Sequence, residues 1–396
     1  MSVGTGFHPR TIQLNTKMAW SEWAGYFASQ VYADYHDIEY NAIREAAALI
    51  DTSPLHKYFV SGKDAAKLVD RVITRDASKL RVDRVFYTPW CDERGKVIDD
   101  GTVMCWDEDR YFWTAADPTY RWLLMNAQGL DVEIEDVSDQ VAAVALQGPL
   151  SRAVLEAATA QDWTDVKYFG HRRAEIGGVP VDVSRTGYTG DLGYEIWVPT
   201  DDAVKVWDAL WEAGQPYQIR PAGIRALDLT RVEAGLILLE VEYMSSRRAI
   251  SDEQEYSPFE IGLGRLVDFG KADFVGKRAL EAEQRAGGPK RRLVGLELDW
   301  YGIEGMFAKH GLPTMISPVV YRDPVPVYKQ GRRVGRATSM TWSLTVKKMI
   351  AFGSLQASLA TPGTQVSVEY SVEGERGKVA ATVVDLPFLD LPRKRA

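Results

Sequence analysis

Residues 184–198 read SRTGYTGDLGYEIWV, with Gly187, Gly190 and Gly193 at a strict three-residue interval and a carboxylate, Glu195, set into an apolar run. The flanking stretches VPVDVSR and YEIWVP alternate as strands, so the glycine segment is expected to be the turn between them. Glycines there permit positive φ and let a flat ligand approach the backbone without Cβ atoms in the way. A dinucleotide fingerprint is excluded, because the spacing differs and no helix opens after it. Strand alternation places Glu195 on one face with Trp197, and Tyr194, Ile196 and Val198 on the other. An unpaired carboxylate is costly to bury, so on pattern alone Glu195 either lies hydrated on an edge strand or meets partners inside.

A second candidate is YTPWCDERGKVIDDGTV, residues 87–103. Gly95 makes a turn, Val97 and Ile98 open a strand, and the adjacent Asp99 and Asp100 point to opposite faces. Both are hydrated if the strand is an edge; one faces the interior if it is central. A third is PAGIRALDLTRVEAG, residues 221–235, a helix with Arg225 and Arg231 near its opposite ends, for which the plain alternative is an ordinary surface salt-bridge pair with Asp228 or Glu233.

The elements that would position these residues interleave irregularly, which indicates an α+β class. DAAKLVDRVITRD is a helix with Ala65, Leu68, Val69, Val72 and Ile73 on one face and Asp64 as N-cap. VIDDGTVMCW and RYFWTAAD read as neighbouring strands, and DDAVKVWDALWEAG as a helix capped by Asp201 and Asp202 and closed by Gly214. Past the charged stretch EAEQRAGGPKRR only short strands with tight turns follow, so a boundary near 290 is expected, with a small β-barrel or sandwich over 291–396. Residues 299–325 read as a long connection covering the site.

With 396 residues, 45% hydrophobic and 26% charged, the chain has the composition of a soluble globular protein of two or three domains. It carries no apolar run long enough to span a membrane and no secretory h-region, so a cytoplasmic protein is expected. Two cysteines and five scattered histidines lack metal-ligand spacing. A net charge of −8 disfavours nucleic acid as a partner, and the basic tail Arg393-Lys394-Arg395 is expected to be solvated.

Taken in order, VSRTGYTGDLGYEIWVP, ALQGPLSRAVL, GKVIDDGTV, RPAGIRALDLTRVEAG, SPFEIGLGRLVDF and GRRVGRATS resemble the glycine-cleavage aminomethyltransferase (T-protein) superfamily of tetrahydrofolate enzymes, from about Ile38 to Val384. The resemblance implies a three-lobed cloverleaf: two α+β lobes within 1–290 and a C-terminal β-barrel over 291–396, around a central folate channel. It implies tetrahydrofolate as cofactor, with Glu195 binding the 2-aminopterin edge by two parallel N–H bonds. Tyr188 and Tyr87 fall at further folate-contacting positions, and Arg225 is taken as a fourth folate contact. Asp100 matches the family's catalytic aspartate beside N5 and N10, and no metal is implied.

The departures bear on the donor. Where the family has G-x-R-D, this chain reads GIRALD, with Leu227 at the expected arginine; where it has D-V-S-H-M-G, this chain reads DTSPLHKY, residues 51–58. GIRALD looks more like the folate-binding halves of dimethylglycine and sarcosine dehydrogenases and folate-dependent demethylases. The expected activity is therefore demethylation, with N5 of tetrahydrofolate taking a methyl group from a small N-, O- or S-methylated donor. His56 is the candidate general acid and Tyr243 a second, on the substrate side. The alternatives are aminomethyl transfer from a lipoyl carrier to give methylene-tetrahydrofolate, and folate binding without transfer. A separate oxidoreductase or carrier protein is the expected partner.

Overall fold

The computed structural model describes all 396 residues. They form two compact units: Met1–Thr88, Asp99–Thr230 and Leu391–Ala396 make one, and Pro89–Ile98 with Arg231–Asp390 the other.

The first unit is built on two sheets. One is six-stranded, in the order His171–Ile176, Val179–Ser184, Gly193–Pro199, Val141–Gln147, Ala48–Asp51 and Arg220–Pro221. The other is five-stranded, in the order Arg84–Cys91, Val97–Asp107, Arg110–Ala115, His56–Ser61 and Glu133–Asp136. The six-stranded sheet buries Val144, Leu146, Tyr194, Ile196 and Val198 against the helices Ser151–Thr159 and Ala203–Gly214. Its other face, through Ala143 and Trp197, meets Phe59, Met104 and Phe112 of the five-stranded sheet. The alternation read from the sequence thus places Trp197 on one face and Tyr194, Ile196 and Val198 on the opposite one.

In the second unit a closed barrel runs Arg291–Leu298, Lys348–Gln356, Arg332–Ser343, Val325–Lys329, Gln365–Val372 and Glu375–Val384. Its hairpins close with consecutive positive φ at Gln330-Gly331 (49° and 78°) and Glu373-Gly374 (50° and 78°), the turn form that matches strand twist. The connection after the first barrel strand carries a helix, Trp300–Ala308, whose Ile303 and Met306 enter the barrel core. The rest of that connection is largely irregular up to the strand Val325–Lys329, with an isolated bridge from Tyr321 to Met340. Mixed sheets and a closed C-terminal barrel are the α+β architecture expected.

Several local expectations are corrected. Asp64 precedes the helix Ala65–Val72 without capping it by its side chain, and instead accepts from the Asp131 amide at 3.0 Å. Asp201 and Asp202 lie in a short 3-10 turn and make no cap. Gly214 is right-handed; an added Cβ there would lie 2.5 Å from Ile219, so packing requires the glycine. The tail is held against the first unit: Arg393 reaches Asp191 through Nε (2.7 Å) and Nη2 (2.8 Å).

Arg231 is also not on the surface. In the second unit its Nη1 donates to Glu242 at 2.8 Å and its Nη2 to Ser339 Oγ at 2.7 Å, with both charged side chains at 0–1% exposure. Glu242 accepts in addition from the Leu238 amide and Thr338 Oγ1. Removing one member of such a pair leaves a buried charge without its counterpart, so Arg231→Met is expected to lower unfolding free energy by about 3–5 kcal/mol. Urea denaturation followed by far-UV circular dichroism checks this, and a loss under about 1 kcal/mol contradicts it.

Candidate functional site

Glu195 lies on an inner strand: it pairs with Ser184 on one side and Ala145 on the other, so the hydrated-edge alternative does not hold. The carboxylate keeps partial solvent access, and Thr186 Oγ1 donates to its Oε2. Burial raises its pKa above the ordinary carboxylate value, opposed by the Thr186 hydroxyl. A carboxylate among apolar strands with a single donor retains acceptor capacity for a ligand with paired N–H groups, which is the chemistry of an aminopterin edge.

The glycine turn works differently from expectation. Only Gly190 has positive φ, at 73°. A Cβ at Gly187 would lie 2.1 Å from Gln147 Oε1, and one at Gly193 would lie 2.3 Å from the same atom. The cleared space is filled by Gln147, whose Nε2 donates to the carbonyls of Thr186 and Tyr194 at 3.3 Å while its Oε1 accepts from Thr189 Oγ1 at 2.8 Å. On the far side Arg44 Nη1 donates to the Thr189 carbonyl at 2.9 Å, and Arg44 and Arg393 both hold Asp191. Tyr188 sits half-buried in this braced turn.

Of the aspartate pair, Asp99 is the interior one. It is fully buried and accepts the amides of Asp100 (2.8 Å), Ala116 (3.0 Å) and Asp117 (2.9 Å). Burial, with the charge of Asp100 behind it, pushes Asp99 upward in pKa while these amides pull it down. Asp100 is half-exposed and accepts from Tyr87 Oη at 2.6 Å. Tyr87 comes from the neighbouring strand, and its carbonyl accepts from Arg75 at 3.2 Å. Sequence reasoning proposed Tyr87 and Asp100 for separate reasons; the structure brings them into direct contact.

The remaining candidates are dispersed. His56 is half-buried and opens its strand opposite Ala115. Beside it Lys57 is fully buried, with Nζ donating to the carbonyls of Ser53 (2.6 Å) and Leu55 (2.7 Å), and burial pushes its pKa down to about 8. Arg225 donates to Gln30 Oε1 at 3.0 Å, and Leu227 is buried. Tyr243, 1% exposed, belongs to the second unit. A cavity of about 530 Å³ is lined by Trp106, His171, Arg172 and Arg173 and touches none of these candidates. Sequence reasoning missed Gln147, Thr186 and the Asp191 clamp. A polar Gln147 ending the apolar run VAAVALQ was the available signal for the first.

Mixed sheets thus carry the braced glycine turn, Glu195 and the Tyr87–Asp100 pair, and a closed barrel follows in the second unit. The sequence matches the GCVT N-terminal domain over residues 8–271 and the glycine cleavage T-protein C-terminal barrel domain over residues 291–390. It is 36% identical over 335 residues to a protein of Caldanaerobacter subterraneus subsp. tengcongensis named aminomethyltransferase, covering 83% of this chain and 82% of that one. A Bacillus pumilus protein of the same name is 34% identical over 350 residues, 87% of this chain and 88% of that one. The crystal structure of glycine cleavage system aminomethyltransferase T from Bartonella henselae shares the fold, with a TM-score of 0.81 at 22% identity, covering 98% of this chain and 99% of that one. The chain belongs to the glycine cleavage T-protein family and is a tetrahydrofolate-dependent one-carbon transferase. No helix is long and apolar enough to cross a membrane.

Because Gln147 occupies the space that Gly193 leaves open, Gly193→Ala is expected to cost about 1–3 kcal/mol through overpacking. Gly305→Ala, where an added Cβ meets nothing within 4 Å, serves as control and is expected to leave the melting temperature unchanged or higher. Equal melting temperatures for Gly193→Ala and the parent would contradict the packing role of that glycine.

Proposed function

We propose that this enzyme transfers an aminomethyl carbon from a carrier-borne thioether to tetrahydrofolate, giving 5,10-methylene-tetrahydrofolate, ammonia and the free carrier thiol. The reading is carried by the relatives named aminomethyltransferase, which match more than four-fifths of the chain at 33–36% identity. The names of these relatives favour this alternative over the demethylation expected from sequence. By analogy with the glycine cleavage system, the partner is a lipoyl carrier protein.

Bound tetrahydrofolate supplies N5 and N10, the nitrogens between which the carbon ends. Residues 1–290 hold it and the barrel region 291–396 completes the protein. Glu195 takes the 2-amino group and the adjacent ring N–H, Tyr188 packs beside the pterin, and Arg225 is a further folate contact. Asp100 accepts a hydrogen bond from a reacting nitrogen, orients its lone pair and balances the positive charge that develops there. The Tyr87 hydroxyl fixes the Asp100 carboxylate in the orientation for that contact.

A second reading, demethylation of a small methylated donor, rests on one observation. Residues 51–58 depart from the family pattern, and their backbone is drawn around the buried ammonium of Lys57. In that reading His56, with Tyr243 as substitute, protonates the leaving group. Mass spectrometry of the folate pool separates the two. Methylene-tetrahydrofolate from an aminomethylated lipoyl carrier supports the first, and 5-methyl-tetrahydrofolate from methylated amines, sulfonium compounds or methoxy-aromatics supports the second.

Asp100→Ala is expected to lower kcat by about 10²–10⁴-fold while folate affinity stays nearly unchanged; undiminished turnover removes Asp100 from the chemistry. Glu195→Gln is expected instead to weaken folate by about 1–3 kcal/mol, read by calorimetric titration, because the amide presents a donor to a donor.

A further inference from the structure

Glu195 terminates a chain of hydrogen bonds that begins at an indole. Trp197 Nε1 donates to Ser184 Oγ at 3.3 Å, Ser184 Oγ lies 2.7 Å from Thr186 Oγ1, and Thr186 Oγ1 meets Glu195 Oε2. Trp197 and Ser184 are 3% and 1% exposed and Thr186 5%, so water does not substitute for a missing partner.

The indole fixes the direction. An indole N–H can only donate, so Ser184 Oγ accepts from it and has its own proton for Thr186; Thr186 then has its proton for Glu195 Oε2. In the reverse sense a protonated Glu195 donates to Thr186 and Thr186 to Ser184. Ser184 then accepts twice, and its own O–H is left buried without an acceptor, which disfavours that arrangement. The network therefore directs the Thr186 proton at Glu195 Oε2, a bond that is stronger to an ionised carboxylate than to a neutral carboxyl. We propose that Thr186, ordered by Ser184 and Trp197, is a positioning residue that keeps Glu195 ionised and aims it at the folate.

This rests on Glu195 as the folate-binding carboxylate. Ionisation matters to that role, because a carboxylate accepts two N–H bonds side by side whereas a carboxylic acid presents its own proton on one oxygen. Burial works against ionisation, and the Thr186 hydroxyl is the group that opposes it. The other titratable groups do not substitute for that hydroxyl. On the same face of the neighbouring strands, Asp182 and His171 are hydrogen-bonded to each other at 2.8 Å. On the sheet packed across that face, Asp99 is bound by amides and Asp100 by Tyr87. The strand beyond Ala145 offers Asp51, which accepts from Thr5 at 2.6 Å and from the Ser53 amide at 3.0 Å.

The test is tetrahydrofolate affinity across pH, by anaerobic calorimetric titration of the full chain, for the parent, Thr186→Val, Thr186→Ser and Glu195→Gln. Thr186→Val removes the donor with little change of shape and raises the carboxyl pKa. The acid-side midpoint of folate affinity is then expected to move up by about one pH unit, so that affinity below it falls about tenfold against the parent. Thr186→Ser keeps the hydroxyl and is expected to restore the parent profile. A Thr186→Val profile parallel to the parent's, weaker or not, overturns the inference while Glu195→Gln remains impaired. Parent-like binding by Glu195→Gln overturns the folate reading of Glu195 and this inference with it.

Discussion

A charged carboxylate can stay inside a protein only if donors replace the water it gives up, and the first unit is arranged around that requirement. Asp99 has three backbone amides, and Asp191 has two arginines and the Leu192 amide. Glu242 in the second unit is matched as fully by Arg231 and two hydroxyls. Glu195 stands apart, since one hydroxyl is its donor and partial access to solvent remains. Those three carboxylates are saturated from within, whereas Glu195 keeps acceptor capacity for a ligand.

The same economy explains why the turn before Glu195 is rigid although rich in glycine. Its three glycines do not leave it loose: Gln147 fills the space at Gly187 and Gly193 and ties the carbonyls of Thr186 and Tyr194 together. Arg44 and Arg393 then fix Thr189 and Asp191 from the other side. Tyr188 and Thr186 are thereby held between two anchored points, and the loop presents groups as a strand would. A binding loop that is ordered before the ligand arrives loses little entropy when it binds.

The fold was legible where local pattern suffices. Alternation placed Trp197 and Glu195 on one face, helical periodicity found Ala65 to Val72 and Ala203 to Leu210, and turn chemistry found the barrel hairpins at Gln330-Gly331 and Glu373-Gly374. Asp99 and Asp100 were read as facing opposite ways, which holds because adjacent strand residues must. What stayed hidden depends on partners distant in sequence. Arg231 meets Glu242 and Ser339 instead of its helical neighbours, Arg393 reaches Asp191 some two hundred residues away, and Gln147 occupies space that looked reserved for a ligand. Spacing along the chain carries no record of such contacts, because they are set by tertiary packing.

The difference between a legible acceptor side and an ambiguous donor side has a physical basis. Recognition of an aminopterin edge needs one carboxylate in a fixed plane, and fixing a plane takes a strand, a turn and a few internal hydrogen bonds, all of which leave a pattern. His56, by contrast, lies in a short segment wrapped on the ammonium of Lys57. That ammonium sits on the carbonyls of Ser53 and Leu55, and burial lowers its pKa to about 8. In the proposed reading the bond made to folate lies with Glu195 and Asp100 and the bond broken in the donor with the segment 51–58, so the two are governed by separate sets of side chains.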